Sequence, residues 1–167
     1  MRYIFLIPWK VPPQSHLYKY IEEFQNRITK ICAVTIVQAQ AHLTQDELAP
    51  FYIKEIKKIS VENPLCIALD ENGKNISSLL FAKQLEQYET RGEKVLVFCL
   101  GGAYGLPKEL KKLGRLELIS LSAMTFPHEM ALAILFEQIY RAKCILSNHP
   151  YHHGEPSPLV KELKSKK

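Results

Sequence analysis

Val95-Leu96-Val97-Phe98-Cys99-Leu100-Gly101-Gly102-Ala103-Tyr104-Gly105 decides the reading of the fold. Its first six residues are all apolar and offer no polar face to water, so the run reads as a strand buried on both sides. Such a strand belongs in a mostly parallel sheet with helices on both faces. The glycines that follow free the backbone to take positive φ or to approach a ligand closely. In open α/β sheets, ligands bind beyond the carboxyl ends of the strands, where this loop lies. The loop lacks the G-x-G-x-x-G spacing and the P-loop lysine, so it does not read as a dinucleotide or nucleoside-triphosphate site. A plain tight turn is the alternative reading.

Working outward, Tyr3 to Ile7, Cys32 to Val37, Leu65 to Leu69 and Leu116 to Leu121 are short apolar runs bounded by polar or turn residues, and they supply four further strands. Helices are expected between them. Leu17 to Ile31 places Leu17, Tyr20, Ile21, Phe24 and Ile28 on one face, and Gln38 to His42 reads as a loop. Asp46 to Ile59 follows the capping-box pattern Thr44-Gln45-Asp46-Glu47, with Pro50 in or near its first turn. Ile76 to Tyr88 stops near Gly92, and Pro127 to Ile145 is the longest. Strands alternating with helices predict an α/β domain.

The chain has 167 residues, 47% of them apolar, which suits one domain with a real core. That domain is expected over 1–153, followed by a basic extension, 154–167, with four lysines against two glutamates. Pro8, Trp9 and Lys10 interrupt the first apolar run before it could serve as a signal peptide. Nothing approaches a membrane span, and a cytoplasmic protein is expected. Cys32, Cys66, Cys99 and Cys144 lie far apart in or beside apolar runs, as buried free thiols do. The net charge of +5 is compatible with a nucleic-acid partner without requiring one.

Three further segments could carry chemistry. Leu121-Ser122-Ala123-Met124-Thr125-Phe126-Pro127-His128 interleaves small polar residues with Leu, Met and Phe, suiting a cofactor with a flat apolar base and polar edges; an ordinary strand-to-helix connection is the alternative. Arg141 interrupts an apolar helical stretch and needs a partner or an exit to solvent; it could bind phosphate or stabilise negative charge on a reacting base. Asn148, His149, Tyr151, His152 and His153 read as an RNA-contacting arm, since Tyr and His stack on unpaired bases, or as a solvated tail. With Cys144 they match no common paired zinc spacing, and no metal is expected.

In their order along the chain these segments resemble the ribosomal RNA large subunit methyltransferase H family, of the SPOUT class. The resemblance rests on Leu69-Asp70, Gly101-Gly102-x-x-Gly105-Leu106, Leu121 through His128, Glu137-Gln138-Ile139-Tyr140-Arg141-Ala142 and Asn148-His149-Pro150-Tyr151-His152; the first 60 residues match only in outline. It implies a C-terminal trefoil knot, S-adenosylmethionine as methyl donor, and N3 of a pseudouridine in helix 69 of large-subunit ribosomal RNA as acceptor. It also implies a homodimer in which the partner's C-terminal arm completes each cofactor pocket. Leu69, Gly101, Gly102, Gly105, Leu121, Ser122, Ala123, Met124, Thr125 and Phe126 would bind the cofactor; Arg141, Tyr151 and His152 would form the RNA or catalytic set. Three features depart from the family: Leu132 and His153 stand where basic residues are usual, and the chain continues beyond the Tyr-His pair. A non-catalytic ribosome-binding or assembly factor on this fold and a related knotted tRNA methyltransferase are the competing readings.

Overall fold

The computed structural model describes residues 1–102 and 105–152. Ala103, Tyr104, His153 and the extension 154–167 lie outside the described residues. Five strands, β1 (Arg2–Ile7), β2 (Ala33–Gln38), β3 (Leu65–Asn75), β4 (Val95–Cys99) and β5 (Leu116–Ser120), alternate with α1 (Tyr18–Thr29), α2 (Gln45–Lys57), α3 (Ser78–Thr90) and a 3-10 turn over Leu110–Lys112; α4 (His128–Leu146) closes the series. Every pairing is parallel, and the strand order is β2-β1-β4-β3-β5.

Alternate residues of the central strands feed two cores. Tyr3, Phe5, Ile7, Leu65, Ile67, Leu96 and Phe98 face α1, α3 and α4. Ile4, Leu6, Cys66, Ala68, Val95, Val97 and Cys99 face α2 and the 3-10 turn. The apolar run from Val95 is therefore covered on both sides, and all five residues of β4 are buried. Phe5 stacks on Phe98 at 5.1 Å and meets Phe136 of α4 edge-on at 4.7 Å, so an aromatic cluster pins the last helix to the centre of the sheet. The crossovers through α1 and α3 move along the sheet in one direction on one face. Those through α2 and the 3-10 turn move the opposite way on the other face. Direction and face reverse together, so all four connections share one hand, as parallel crossovers do.

The strands and helices fall within a residue or two of their expected limits, with two exceptions of substance. β3 does not end at Asp70: it loops out and rejoins β5, so that Leu69 and Lys74 both register on Ile119 and Asn75 pairs with Ser120. Pro50 lies six residues into α2, in its second turn rather than its first; the missing amide there takes a bond from the carbonyl of Asp46. The expected caps form. Glu47 accepts from the Thr44 amide at 2.8 Å and from its hydroxyl at 2.9 Å. Gly92, at φ +80°, ends α3 by sending its own amide to Glu89 and that of Glu93 to Tyr88. Asn148 ends α4 in the same way at φ +56°, its amide bonding Ile145 and that of His149 bonding Cys144. This cap turns 148–152 back along α4 as a structured turn. All four cysteines are free thiols; Cys32 is half-buried and the other three are buried. Leu132, on the inner face of α4, is wholly buried in the core.

Candidate active site

All strands run the same way, so their carboxyl ends gather at one edge of the sheet. A cavity of about 680 Å³ opens there, within the size range of small-molecule sites. The looped-out middle of β3 and the connections after β1, β4 and β5 supply most of its wall, and the start of α4 supplies much of the rest.

The glycine loop is a closed turn. The amides and carbonyls of Gly102 and Gly105 bond each other, both at 3.0 Å, and Gly105 takes φ +81°. A side chain on Gly101 would come within 2.9 Å of the Gly105 carbonyl carbon, so this position must stay bare. Tyr52, wholly buried on α2, donates its hydroxyl to the Leu100 carbonyl and anchors the strand end from below; burial pushes its phenol well above the ordinary range, which keeps it a donor. After β5, the Ser120 hydroxyl donates to the Ser122 carbonyl at 2.6 Å and the Met124 amide donates to the Ser122 hydroxyl at 3.0 Å. The loop thus holds its own shape and leaves Met124 74% exposed at the rim.

Nine of the ten residues expected to hold the cofactor line this cavity; the tenth, Ala123, is exposed and outside it. The sequence did not single out Trp9, Glu71, Asn72 or Lys111, which also line it. Lys111 Nζ lies 2.6 Å from the Asp70 carboxylate, and the Asn72 amide donates to the same group at 2.9 Å. Burial alone would raise the Asp70 pKa, but the hydrogen bonds from Lys111 and Asn72, with the lysine's charge, hold it below the ordinary value. The Thr125 hydroxyl donates to Glu71 at 3.3 Å. The β3 loop is therefore fastened to both neighbouring loops. His128 packs on the Trp9 ring at 4.5 Å and faces His42 at 5.9 Å. Burial lowers its pKa; Glu129 acts the other way, and His42 adds to the lowering.

Arg141, Tyr151 and His152 come together, but elsewhere. Glu137 accepts hydrogen bonds from Arg141 Nη2 and, at 2.9 Å, from the Tyr151 hydroxyl. Arg141 also lies over the Tyr151 ring at 4.9 Å and reaches His152. Burial, and then the Glu137 hydrogen bond, push the Tyr151 phenol up to about 12; the same carboxylate raises Arg141. Arg141 thus takes a buried partner rather than an exit to solvent. Glu137 was the missed residue, and its spacing four positions before an arginine on an apolar helix was the available signal. From Ala131, the last residue of α4 at the cavity, to Arg141 is 10 residues, about 15 Å of helix. Within one chain the two residue sets do not meet.

Among the described residues no group of three or more His, Cys, Asp or Glu side chains could hold a metal ion, and no helix is long and apolar enough to cross a membrane. The cavity suits an adenosyl sulfonium in several respects. Among the described residues the buried Trp9 indole N–H has no partner, the Gly101 wall is bare, and carboxylates stand beside apolar surface from Leu100, Leu121 and Phe126.

The family model described as "Predicted SPOUT methyltransferase" matches residues 8–152. The "Ribosomal RNA large subunit methyltransferase H" of Clostridioides difficile (strain 630) is 39% identical over 148 residues, covering 83% of this chain and 92% of the relative. The protein of the same name from Acetivibrio thermocellus is 32% identical over 147 residues, again 83% and 92% of the two chains. A solved structure, described as a probable methylase family protein from Haemophilus influenzae Rd KW20, aligns over 98% of this chain and 74% of that one, at 12% identity and a TM-score of 0.49. The chain belongs to the SPOUT methyltransferase family, among the ribosomal RNA large subunit methyltransferase H proteins.

Proposed function

We propose that the protein is a cytoplasmic enzyme that methylates N3 of a pseudouridine in helix 69 of large-subunit ribosomal RNA, using S-adenosylmethionine and working as a homodimer. The observation that carries this reading is the cavity itself: nine of the ten residues carried over from the family as cofactor contacts line one space. The names of the relatives support ribosomal RNA as the substrate, and the trefoil knot belongs to the same proposal.

When bound, S-adenosylmethionine supplies a methyl group on a sulfonium. Leu69, Gly101, Gly102, Gly105, Leu121, Ser122, Met124, Thr125 and Phe126 would hold it, the leucines, methionine and phenylalanine offering apolar surface and the serine and threonine offering polar groups. The transfer needs little covalent help from protein; it needs the acceptor nitrogen brought into line. As N3 loses its proton, negative charge grows on the flanking ring carbonyls. Arg141, which Glu137 holds in one orientation, stabilises that charge in this reading. Tyr151 offers a ring for stacking. A second subunit brings this set to the cavity.

The test is mass mapping of helix 69 from cells with and without the protein, alongside calorimetry with S-adenosylmethionine. Loss of one methyl group in cells lacking the protein, and binding of the donor by the purified chain, are expected. An unchanged methylation pattern overturns the substrate assignment.

A further inference from the structure

Resting on this reading for its substrate, we infer that His152 meets the acceptor ring as a hydrogen-bond donor through Nε2–H and does not collect the N3 proton. Arg141 Nη1 lies 3.4 Å from His152 Nδ1. A guanidinium has five N–H groups and no lone pair, and it stays protonated throughout the working range. The hydrogen bond can run only from Arg141 to the Nδ1 lone pair. A neutral imidazole has one donor and one acceptor nitrogen, and the bond made by one fixes the other. With Nδ1 occupied as the acceptor, the proton sits on Nε2.

The arrangement is built in from a distance. The Ser78 hydroxyl, in the first turn of α3, donates to Gln138 Oε1 at 2.6 Å, and Gln138 Nε2 donates to Glu137 Oε2 at 2.7 Å. The other Glu137 oxygen accepts from Arg141 and from the Tyr151 hydroxyl. Tyr151 is itself wedged against Tyr140, with ring centres 4.9 Å apart, and carries Arg27 of α1 at 6.0 Å. Among the described residues, the charged groups linked to the imidazole by these contacts are Arg141 directly, Glu137 through Arg141 and, across the Tyr151 ring, Arg27. Arg141 is held at Nη2 by Glu137 and on its face by Tyr151, which directs Nη1 at His152.

A donor at this position suits the chemistry. A uracil-type ring carries a carbonyl on each side of N3, and donors to those oxygens stabilise the anion that forms as the proton leaves. In the balanced transfer the N3 proton passes to water and the N3 electron pair forms the new bond to the methyl carbon. The electron pair of the old carbon–sulfur bond stays on sulfur as a neutral thioether. His152 and Arg141 then act as paired donors, with His152 a catalytic residue through a carbonyl contact.

Two measurements test this. Nitrogen-15 NMR of the imidazole rings in the full chain at neutral pH is expected to show His152 with a bare Nδ1 and a protonated Nε2; a proton on Nδ1 overturns the inference whatever the activity. Single-turnover methylation of large ribosomal subunits is then compared for wild type, His152→Gln and His152→Ala. The glutamine amide donates from about the place of Nε2 but cannot act as a base. His152→Gln is expected to stay within about threefold of wild type, while His152→Ala falls by about tenfold or more. If His152→Gln falls as far as His152→Ala, by the roughly hundredfold typical of a lost general base, the donor role is overturned. A wild-type protein that methylates no ribosomal RNA overturns the functional reading instead, and the NMR pattern still decides the tautomer.

Discussion

Gly73 is where a single missing side chain decides the shape of the site. A Cβ built there would lie 2.6 Å from the Ile119 carbonyl carbon, 2.7 Å from the Ile119 nitrogen and 2.8 Å from the Leu118 carbonyl carbon. These are backbone atoms of β5, which cannot turn aside as a flexible side-chain tip would. The close approach follows from the way β3 loops out after Leu69 and rejoins β5 at Lys74. Gly73→Ala is expected to cost about 2 kcal/mol in urea unfolding, the scale of an overpacked interior. It should also weaken S-adenosylmethionine binding in calorimetry, because Asp70 to Asn72, part of the cavity wall, must shift with it. A variant as stable as wild type and equally tight for the donor would show that the loop can relax. None of this was legible from the residues alone. Asp70, Glu71, Asn72 and Gly73 are poor strand formers, and local propensity ends the strand at Asp70, whereas pairing with β5 carries it on.

Between elements, the ion pair of Asp70 and Lys111 fastens the β3 loop to the 3-10 turn. Because the folded state holds the Asp70 carboxyl below its ordinary value of 3.8, folding favours the ionised form. The stability this confers is fully present above that value and is lost as the pH falls through the lower, folded value. Lys111→Met is therefore expected to lower the urea midpoint at pH 7, with the gap from wild type closing as the pH drops below 3.8. A gap that stays constant down to pH 3 would mean that Lys111 contributes packing and no charge. The elements that the pair joins differ in how readable they were. β1 and β4 announce themselves because both faces are buried, and the helices do so through their 3.6-residue stripes and the caps at Thr44 and Gly92. The 3-10 turn is only three residues long, and nothing in Leu110-Lys111-Lys112 marks Lys111 as an aspartate's partner. That pairing arises from two loops meeting at the edge of the sheet.

At the scale of the whole molecule, α4 joins the two halves of the site and also separates them. The glycine loop and Leu121 to His128 stood out as candidates because they directly follow strands, and Arg141 because it interrupts an apolar helix; Leu69 and the grouping of Arg141 with Tyr151 and His152 came from the family resemblance. What a linear reading could not supply was the distance. One end of α4 lines the cavity as far as Ala131, and Arg141 lies about 15 Å farther along the helix. A methyl group and its acceptor nitrogen must come to roughly 3 Å of each other, so a single chain with this geometry cannot use both sets on one substrate. A dimer related by a two-fold axis can, because each protomer then offers its Arg141 end to its partner's cavity and receives the same in return. This arrangement has a signature in mixtures. Gly101→Arg is expected to fill the cavity and abolish donor binding, since even a Cβ there would meet Gly105 at 2.9 Å. Arg141→Ala should leave donor binding intact and abolish transfer. Each variant alone should be inactive on ribosomal subunits. Unfolded and refolded together in equal amounts, they should recover roughly a quarter of the wild-type rate, because about half of randomly formed dimers pair the two variants and one of the two sites in each is then intact. No recovery, with mixed dimers demonstrated by mass spectrometry, would place both residue sets of a working site within one chain and require α4 or the 148–152 turn to move during the reaction.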